Sequence, residues 1–356
     1  MVKKVCMVVP SFSAKGGIAS VVSGYRGSAL EKAYDIRYIE TYSDVSKAKK
    51  LWKAVASYFK FIHLLIFWKP DMVHIHSSFG ASFYRKLPFI WLSSWFHIPI
   101  VNHIHGSAID ELYTNASQRK RKLVVQTFGK CDKIVVLSEE WKHKYESFIE
   151  PKKIVVLENY SIPHEIVNRD RPEPSRSILF LGFLSEAKGC FDIPQVVKNV
   201  CAVYPNVKFI LAGDGSVEDK EKLQELISTY QVKDYIDMPG WVRGEEKDLL
   251  LQNADVYFLP SYGEAMPMSI LEAMGYGLPV ISTKVGGIPQ LVIDQVNGFL
   301  FSPGDIDGFS QAITLLLSDK KQSLEMGRKS LEIVKNRYSL EEHIKKLGEI
   351  YEMVCC

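Results

Sequence analysis

Eight short apolar runs, separated by longer helix-type stretches, recur along the chain and restrict it to very few folds. KVCMVVP, MVHIH, IVNHIHG and KIVVLS lie in the first half, and SILFLGF, VKFILAG, ADVYFLP and PVIST in the second. Runs of this length read as strands buried on both faces, and the amphipathic stretches between them supply the crossovers that parallel strands need. The expected class is α/β, with doubly wound parallel sheets. At 356 residues the chain exceeds one ordinary core and suits two domains. The stretch SIPHEIVNRDRPEPSRS, punctuated by Pro163, Pro172 and Pro174, reads as the linker. This predicts a first domain over residues 1–165 and a second over 166–335, with a last segment over 336–356.

Composition excludes several classes. Apolar residues make up 47% and charged residues 24%, the balance of a soluble globular protein. Six scattered cysteines form no CxxC pair and no metal-ligand spacing, which predicts reduced thiols in a cytosolic protein. The opening MVKKVCMVVPSF is expected to be the first buried strand and not a signal peptide, because its short apolar run leads into Pro10, Gly16 and Gly17. The apolar stretches 54–68 and 87–101 are broken by Lys60, His63, His97 and Pro99, so no membrane-spanning helix is expected. A net charge of +3 hides an asymmetry. Residues 1–165 carry 24 Lys/Arg against 14 Asp/Glu, while the remainder carries 20 against 27. A basic first half suggests an anionic partner.

In doubly wound sheets the working residues lie in loops at the carboxyl ends of strands. Those ends here read PSFSAKGGIASVV, HIHGSAID and, on the linker side, ENYSIP; the second half adds GFLSEAKGC, AGDGS, PSYGEAMP and STKVGGIP. Two facing sheets with such ends would enclose a cleft. Glu264 and Glu272 stand eight apart with no charge between them. Pro267 suits the first turn of a helix running to about Gly275–Gly277. Its start offers free N–H groups and a positive dipole end to a phosphate, while carboxylates beside it bind vicinal hydroxyls. Lys188, just before Gly189, supplies a cation. Gly213 and Gly215 around Asp214, Gly286-Gly287, and Gly16-Gly17 in the first half allow close backbone approach.

Taken in order, Gly16-Gly17, His105-Gly106, the GxLxxxKG from Gly182 to Gly189, Gly213-Asp214-Gly215 and the paired glutamates with their trailing GLPVISTKVGGIPQLVIDQVNGFLF have a counterpart. Together they resemble the family 4 retaining glycosyltransferases (glycosyl transferase group 1, bacterial polysaccharide type). The resemblance extends over almost the whole chain. It implies the GT-B fold, two Rossmann-like domains, with residues 336–356 packing back on the first. By this resemblance Glu272 would hold the ribose hydroxyls of a nucleotide, and Glu264 with Met266, Pro267 and Met268 would meet the donor sugar and diphosphate. Gly213 and Asp214 would belong to the same donor site. Lys188 would neutralise the departing diphosphate, His105 would lie by the reacting face of the sugar, and Gly16-Gly17 would approach the phosphates. The family often has Arg where this chain has Phe183. Either Lys188 and the helix terminus suffice, or Lys284 or Arg243 contributes.

The expected function is retaining transfer of a sugar from a nucleotide-sugar donor, UDP-linked, to a glycan or lipid-linked acceptor in surface polysaccharide synthesis. No metal or other cofactor is expected. His74, His76, His103 and His105 lie near neighbouring strand ends, but no carboxylate or cysteine completes a zinc-ligand spacing. The basic, aromatic KAKKLWKAVASYFKFIHLLIFWKPD, with RKLPFIWLSSWFH and QRKRKL, reads either as a core helix with a solvated lysine face or as a surface for anionic lipid. The second reading would place a cytoplasmic protein peripherally on the inner face of the plasma membrane. No nucleic-acid motif accompanies the basic residues. Two other functions stay open. An epimerase of the same fold would convert a nucleotide sugar without an acceptor, and a silent glycan-binding subunit would not hydrolyse a donor.

Overall fold

The structure, a computed structural model, describes residues 2–44, 46–106, 110–165 and 176–355. The chain divides into two units, Met1–Asn159 with Leu340–Cys356, and Tyr160–Ser339. Pro172 and Pro174, in the expected linker, lie outside the described residues.

In the first unit six parallel strands, β1 (Lys4–Val9), β2 (Asp35–Glu40), β3 (Met72–Ser77), β4 (Ile100–Ile104), β5 (Lys133–Val136) and β6 (Ile154–Val156), are ordered β2-β1-β3-β4-β5-β6. Every residue of β3 and β4 is buried, the polar His74, His76, Ser77, Asn102 and His103 included. At the edge, β2 (DIRYIE) is more open: Asp35 and Arg37 are exposed, while Glu40 is partly buried against Lys53. The chain passes outward from β1 to β2 and returns on the other side as β3. The loops after β1 and β3 therefore diverge, leaving an opening at the carboxyl ends.

The helix Leu340–Val354 packs on this first sheet. His74 Nδ1 and the Tyr351 hydroxyl are hydrogen-bonded at 2.6 Å. His343 Nδ1 donates to the Glu158 carbonyl (2.7 Å), which leaves Nε2 to accept from the Tyr25 hydroxyl (2.7 Å). The Lys346–Glu158 ion pair adds a third tie at 3.2 Å.

In the second unit β7 (Ser177–Leu181), β8 (Lys208–Ala212), β9 (Ile236–Asp237), β10 (Val256–Leu259), β11 (Val280–Thr283) and β12 (Gly298–Phe301) are ordered β12-β11-β10-β7-β8-β9, all parallel. The chain starts at the centre with β7, runs out to β9, and returns beside β7 as β10. That is the doubly wound order, and its switch point lies between β7 and β10.

One sequence expectation changes. The stretch 54–68 forms part of a continuous helix, Lys47–His63, which widens into a π-helical turn, Leu64–Trp68. Residues 48–68 are long and apolar enough, by length and composition alone, to cross a membrane. Phe61, Leu64, Leu65 and Trp68, however, are buried in the first unit.

Candidate functional site

The second unit gathers its chemistry at the β7/β10 switch point. After β7 the chain makes a short turn, Glu186–Lys188, and after β10 it runs through Pro260–Glu264. The two loops are stitched together by the Ser261 hydroxyl and the Tyr262 N–H, which both donate to the Ala187 carbonyl (2.8 and 2.9 Å). This brings the Lys188 ammonium onto the buried Glu264 carboxylate as an ion pair. The pair spans 76 residues of sequence. Beside it, the Tyr262 hydroxyl donates to Asp192 at 3.0 Å. Burial raises the Asp192 pKa, and the Tyr262 hydrogen bond partly offsets this.

The helix Met268–Gly275 begins immediately downstream, with Pro267 as its N-cap at φ −71°, ψ 120°. The sequence put Pro267 in the first turn; it stands one step earlier, its extended ψ turning the chain into the helix. No side chain caps this end and no acid lies in its first turn, the arrangement in which a helix start can receive an anion. Met266 and Pro267 are buried and Met268 is half-buried. Glu272 is the fifth residue of this helix, and its Oε1 accepts from Lys247 Nζ at 2.9 Å. Lys247 went unnoticed in the sequence, because GEEKDLLLQN reads as an ordinary solvated helix face.

The glycines allow the close backbone approach expected of them, here between one loop and another. An ideal Cβ on Gly213 would lie 1.7 Å from the Gly182 carbonyl oxygen, and one on Gly286 would lie 1.7 Å from the Glu264 carbonyl oxygen. They let one loop lie directly over another. Gly286, at φ +52°, supports the backbone of Glu264 itself. The Asp214 carboxylate is engaged locally, accepting from the Gly215 N–H (2.9 Å) and Lys220 (3.2 Å). Phe183 is exposed, as is Lys284.

In the first unit, Gly16 caps the short helix Gly17–Ser23 after β1. His105 directly follows β4, and its Nε2 is hydrogen-bonded to His76 Nδ1 at 2.8 Å. Its ring stacks on His103 at 4.1 Å between centroids. Burial, and then the neighbouring His343, push the His105 pKa down to about 3, so it is neutral at ordinary pH. His74, His76 and His103 bring potential ligand atoms within 4.8 Å of one another. Both ring nitrogens of His103 and Nε2 of His74 and of His76 lack hydrogen-bond partners. The His74 and His103 rings lie 4° from parallel with their centroids 5.7 Å apart. His105 and the Gly16 helix belong to one unit, and Lys188, Glu264 and Glu272 to the other.

Comparison with known proteins gives the arrangement its context. The profile described as Glycosyl transferases group 1 matches residues 161–332, and that of Glycosyltransferase Family 4 matches residues 12–160. The chain is 27% identical over 302 residues to an Escherichia coli UDP-Gal:alpha-D-GlcNAc-diphosphoundecaprenol alpha-1,3-galactosyltransferase, covering 80% of this chain and 75% of that one. It is also 27% identical over 232 residues to an uncharacterized glycosyltransferase of Haemophilus influenzae, covering 63% and 64%. Of several curated relatives it matches, the chain spans only about half to two thirds of the length. Among solved structures, Anabaena Alr3699/HepE in complex with UDP and glucose superposes with a TM-score of 0.74 at 17% identity, covering 98% of this chain and 99% of that one, a likeness of fold. With two parallel six-stranded sheets and family matches on both units, the chain belongs to the group 1, family 4 glycosyltransferases and has the GT-B fold.

Proposed function

We propose that this chain is a retaining, metal-independent glycosyltransferase that moves a sugar from a UDP-linked donor to a glycan or lipid-linked acceptor in surface polysaccharide synthesis, on the cytoplasmic side of the plasma membrane. The observation that carries the reading is the Lys188–Glu264 pair at the β7/β10 switch point, beside an uncapped helix start with Glu272 in its second turn. That set offers a cation and free N–H groups to a diphosphate, and carboxylates to sugar hydroxyls.

The chemistry follows from where charge develops. As the bond between the anomeric carbon and the diphosphate oxygen breaks, negative charge grows on the diphosphate. Lys188 and the helix N–H groups are preorganised to receive it, and such donors each contribute on the order of 3–4 kcal/mol in comparable sites. The acceptor oxygen bonds to the anomeric carbon from the face the diphosphate leaves, and its proton passes to a departing phosphate oxygen. His105 is held neutral, so it offers a hydrogen bond and not a positive charge. With Lys188 balancing the diphosphate, no metal is needed for that role. Phe183 in place of a cation leaves Lys188 a larger share of the work.

The test is turnover of a panel of UDP-sugars by the purified chain, with and without EDTA, beside Glu272→Ala. Turnover that survives EDTA and UDP binding that collapses in Glu272→Ala are expected. Strict dependence on an added divalent ion would overturn the metal-free mechanism. Epimer formation without acceptor would replace transfer by epimerisation, and failure to bind any nucleotide would leave a glycan-binding subunit.

A further inference from the structure

The helix Lys47–His63 with its extension Leu64–Trp68 is oriented the wrong way for a helix that only packs inward. A surface helix normally turns its apolar stripe to the core and its polar face to water. Here Phe61, Leu64, Leu65 and Trp68 face the core, yet a second apolar set faces out. Leu51 is 69% exposed, Trp52 74%, Phe59 70% and Phe67 73%, with Ile66 also exposed. Within residues 48–68 only Ser57, Phe61, Leu64, Leu65 and Trp68 are buried. The outward set extends over about 24 Å of helix at the usual rise per residue. A contiguous exposed apolar strip of that length marks an interaction surface.

Two observations say what covers it. No acidic residue occurs from Lys47 to Lys69, while Lys49, Lys50, Lys53 and Lys60 lie along the same helix. Lys53 neutralises the nearby Glu40 at 2.7 Å, and Lys49 and Lys60 are exposed. An aromatic strip flanked by lysines suits an anionic bilayer, with rings in the acyl boundary and ammonium groups among the phosphates. The helix is also pinned. Phe61 packs edge-on against Phe89 at 4.9 Å, Arg37 stacks on Trp68 at 4.6 Å, and Lys4 donates to the Trp68 carbonyl at 3.2 Å. These contacts hold the inner face of the helix to the first unit.

We propose that the outward face of residues 48–68, led by Trp52, Phe59 and Phe67, docks the first unit onto an anionic membrane surface, with the helix lying in the interface plane and not spanning it. This inference does not rest on the donor chemistry, because its readout is binding to lipid and not turnover.

The experiment is vesicle flotation of the full chain with phosphatidylcholine vesicles, with and without phosphatidylglycerol. Wild type is compared with Trp52→Ser/Phe59→Ser and with Phe67→Ser. These replacements are at exposed positions, and circular dichroism with thermal unfolding checks that both variants are folded. Binding to the anionic vesicles that weakens with salt and falls at least about tenfold in the double variant is expected. Equal binding by wild type and both folded variants would overturn the proposal. So would wild type that ignores every vesicle but forms a dimer by light scattering that the double variant abolishes, since a second copy would then be the occupant.

Discussion

The Lys188 ammonium rests on the Glu264 carboxylate, and under the proposed function an incoming diphosphate would have to compete with that carboxylate for it. The two side chains should therefore fail in opposite ways. Lys188→Met is expected to lower kcat by about 10²–10³, the usual consequence of removing one preorganised donor. Glu264→Gln leaves the ammonium without its buried counter-charge, and should tighten UDP binding while still lowering turnover. Steady-state kinetics with calorimetry on UDP separates the two: Lys188→Met should weaken UDP binding where Glu264→Gln tightens it, and a parallel loss of UDP affinity in both variants would contradict the competition. Lys247 acts at one remove, through Glu272. Lys247→Met should weaken UDP binding less than Glu272→Ala does, and Lys247→Arg should restore most of it. If Lys247→Met left UDP affinity unchanged, the pair would be shown not to position Glu272.

At the scale of elements, the loop carrying Glu264 depends on the loop beneath it. Gly286 stands at φ +52°, and a Cβ there would collide with the Glu264 carbonyl. Gly286→Ala thus adds backbone strain of about 1–3 kcal/mol to a clash that has to displace Glu264. Thermal unfolding should shift down by several degrees and turnover should fall with it, whereas Gly263→Ala, with nothing within 4 Å of its Cβ, should leave the melting temperature near wild type. Gly286 also shows how far a sequence can be read. Its freedom was visible, but its neighbour was not, because the Glu264 carbonyl lies 22 residues away along the chain. The central strands were legible because burial on both faces leaves an apolar run. By contrast, β2, with alternating charges, and β9, only two residues long, leave no such mark. Glu264, Glu272 and Lys188 could be picked out by spacing and by resemblance. Lys247, 25 residues from its partner and within a charged helix, offered no local signal.

For the molecule as a whole, the nine histidines are distributed unequally, and this predicts unequal acid stability. His74, His76, His103, His105 and His343 all belong to the first unit and share one buried layer of rings beneath the helix Leu340–Val354. Burial pushes the pKa of His74 and His105 down to about 3 and that of His343 to about 4; it also drives His76 and His103 well below their usual value. The folded unit therefore stays unprotonated at these rings while the unfolded chain takes up protons below about pH 6.5. Their contribution to stability is complete above that pH, and is lost as pH falls from there toward the folded values. At pH 5.5 the unfolded chain is largely protonated at these positions while the folded rings stay neutral, so the buried layer weighs against a marginally stable fold. The second unit holds only His164, partly buried, and should lose far less. Five of the six tryptophans lie in the first unit, so their fluorescence reports mainly on it, and hydrogen exchange resolved by peptide reads both units. Between pH 7.5 and 5.5 the tryptophan signal should unfold at progressively lower denaturant, while peptides from β7 to β12 stay protected. Equal loss of protection in both units would mean that the buried imidazoles are not what makes the molecule sensitive to acid.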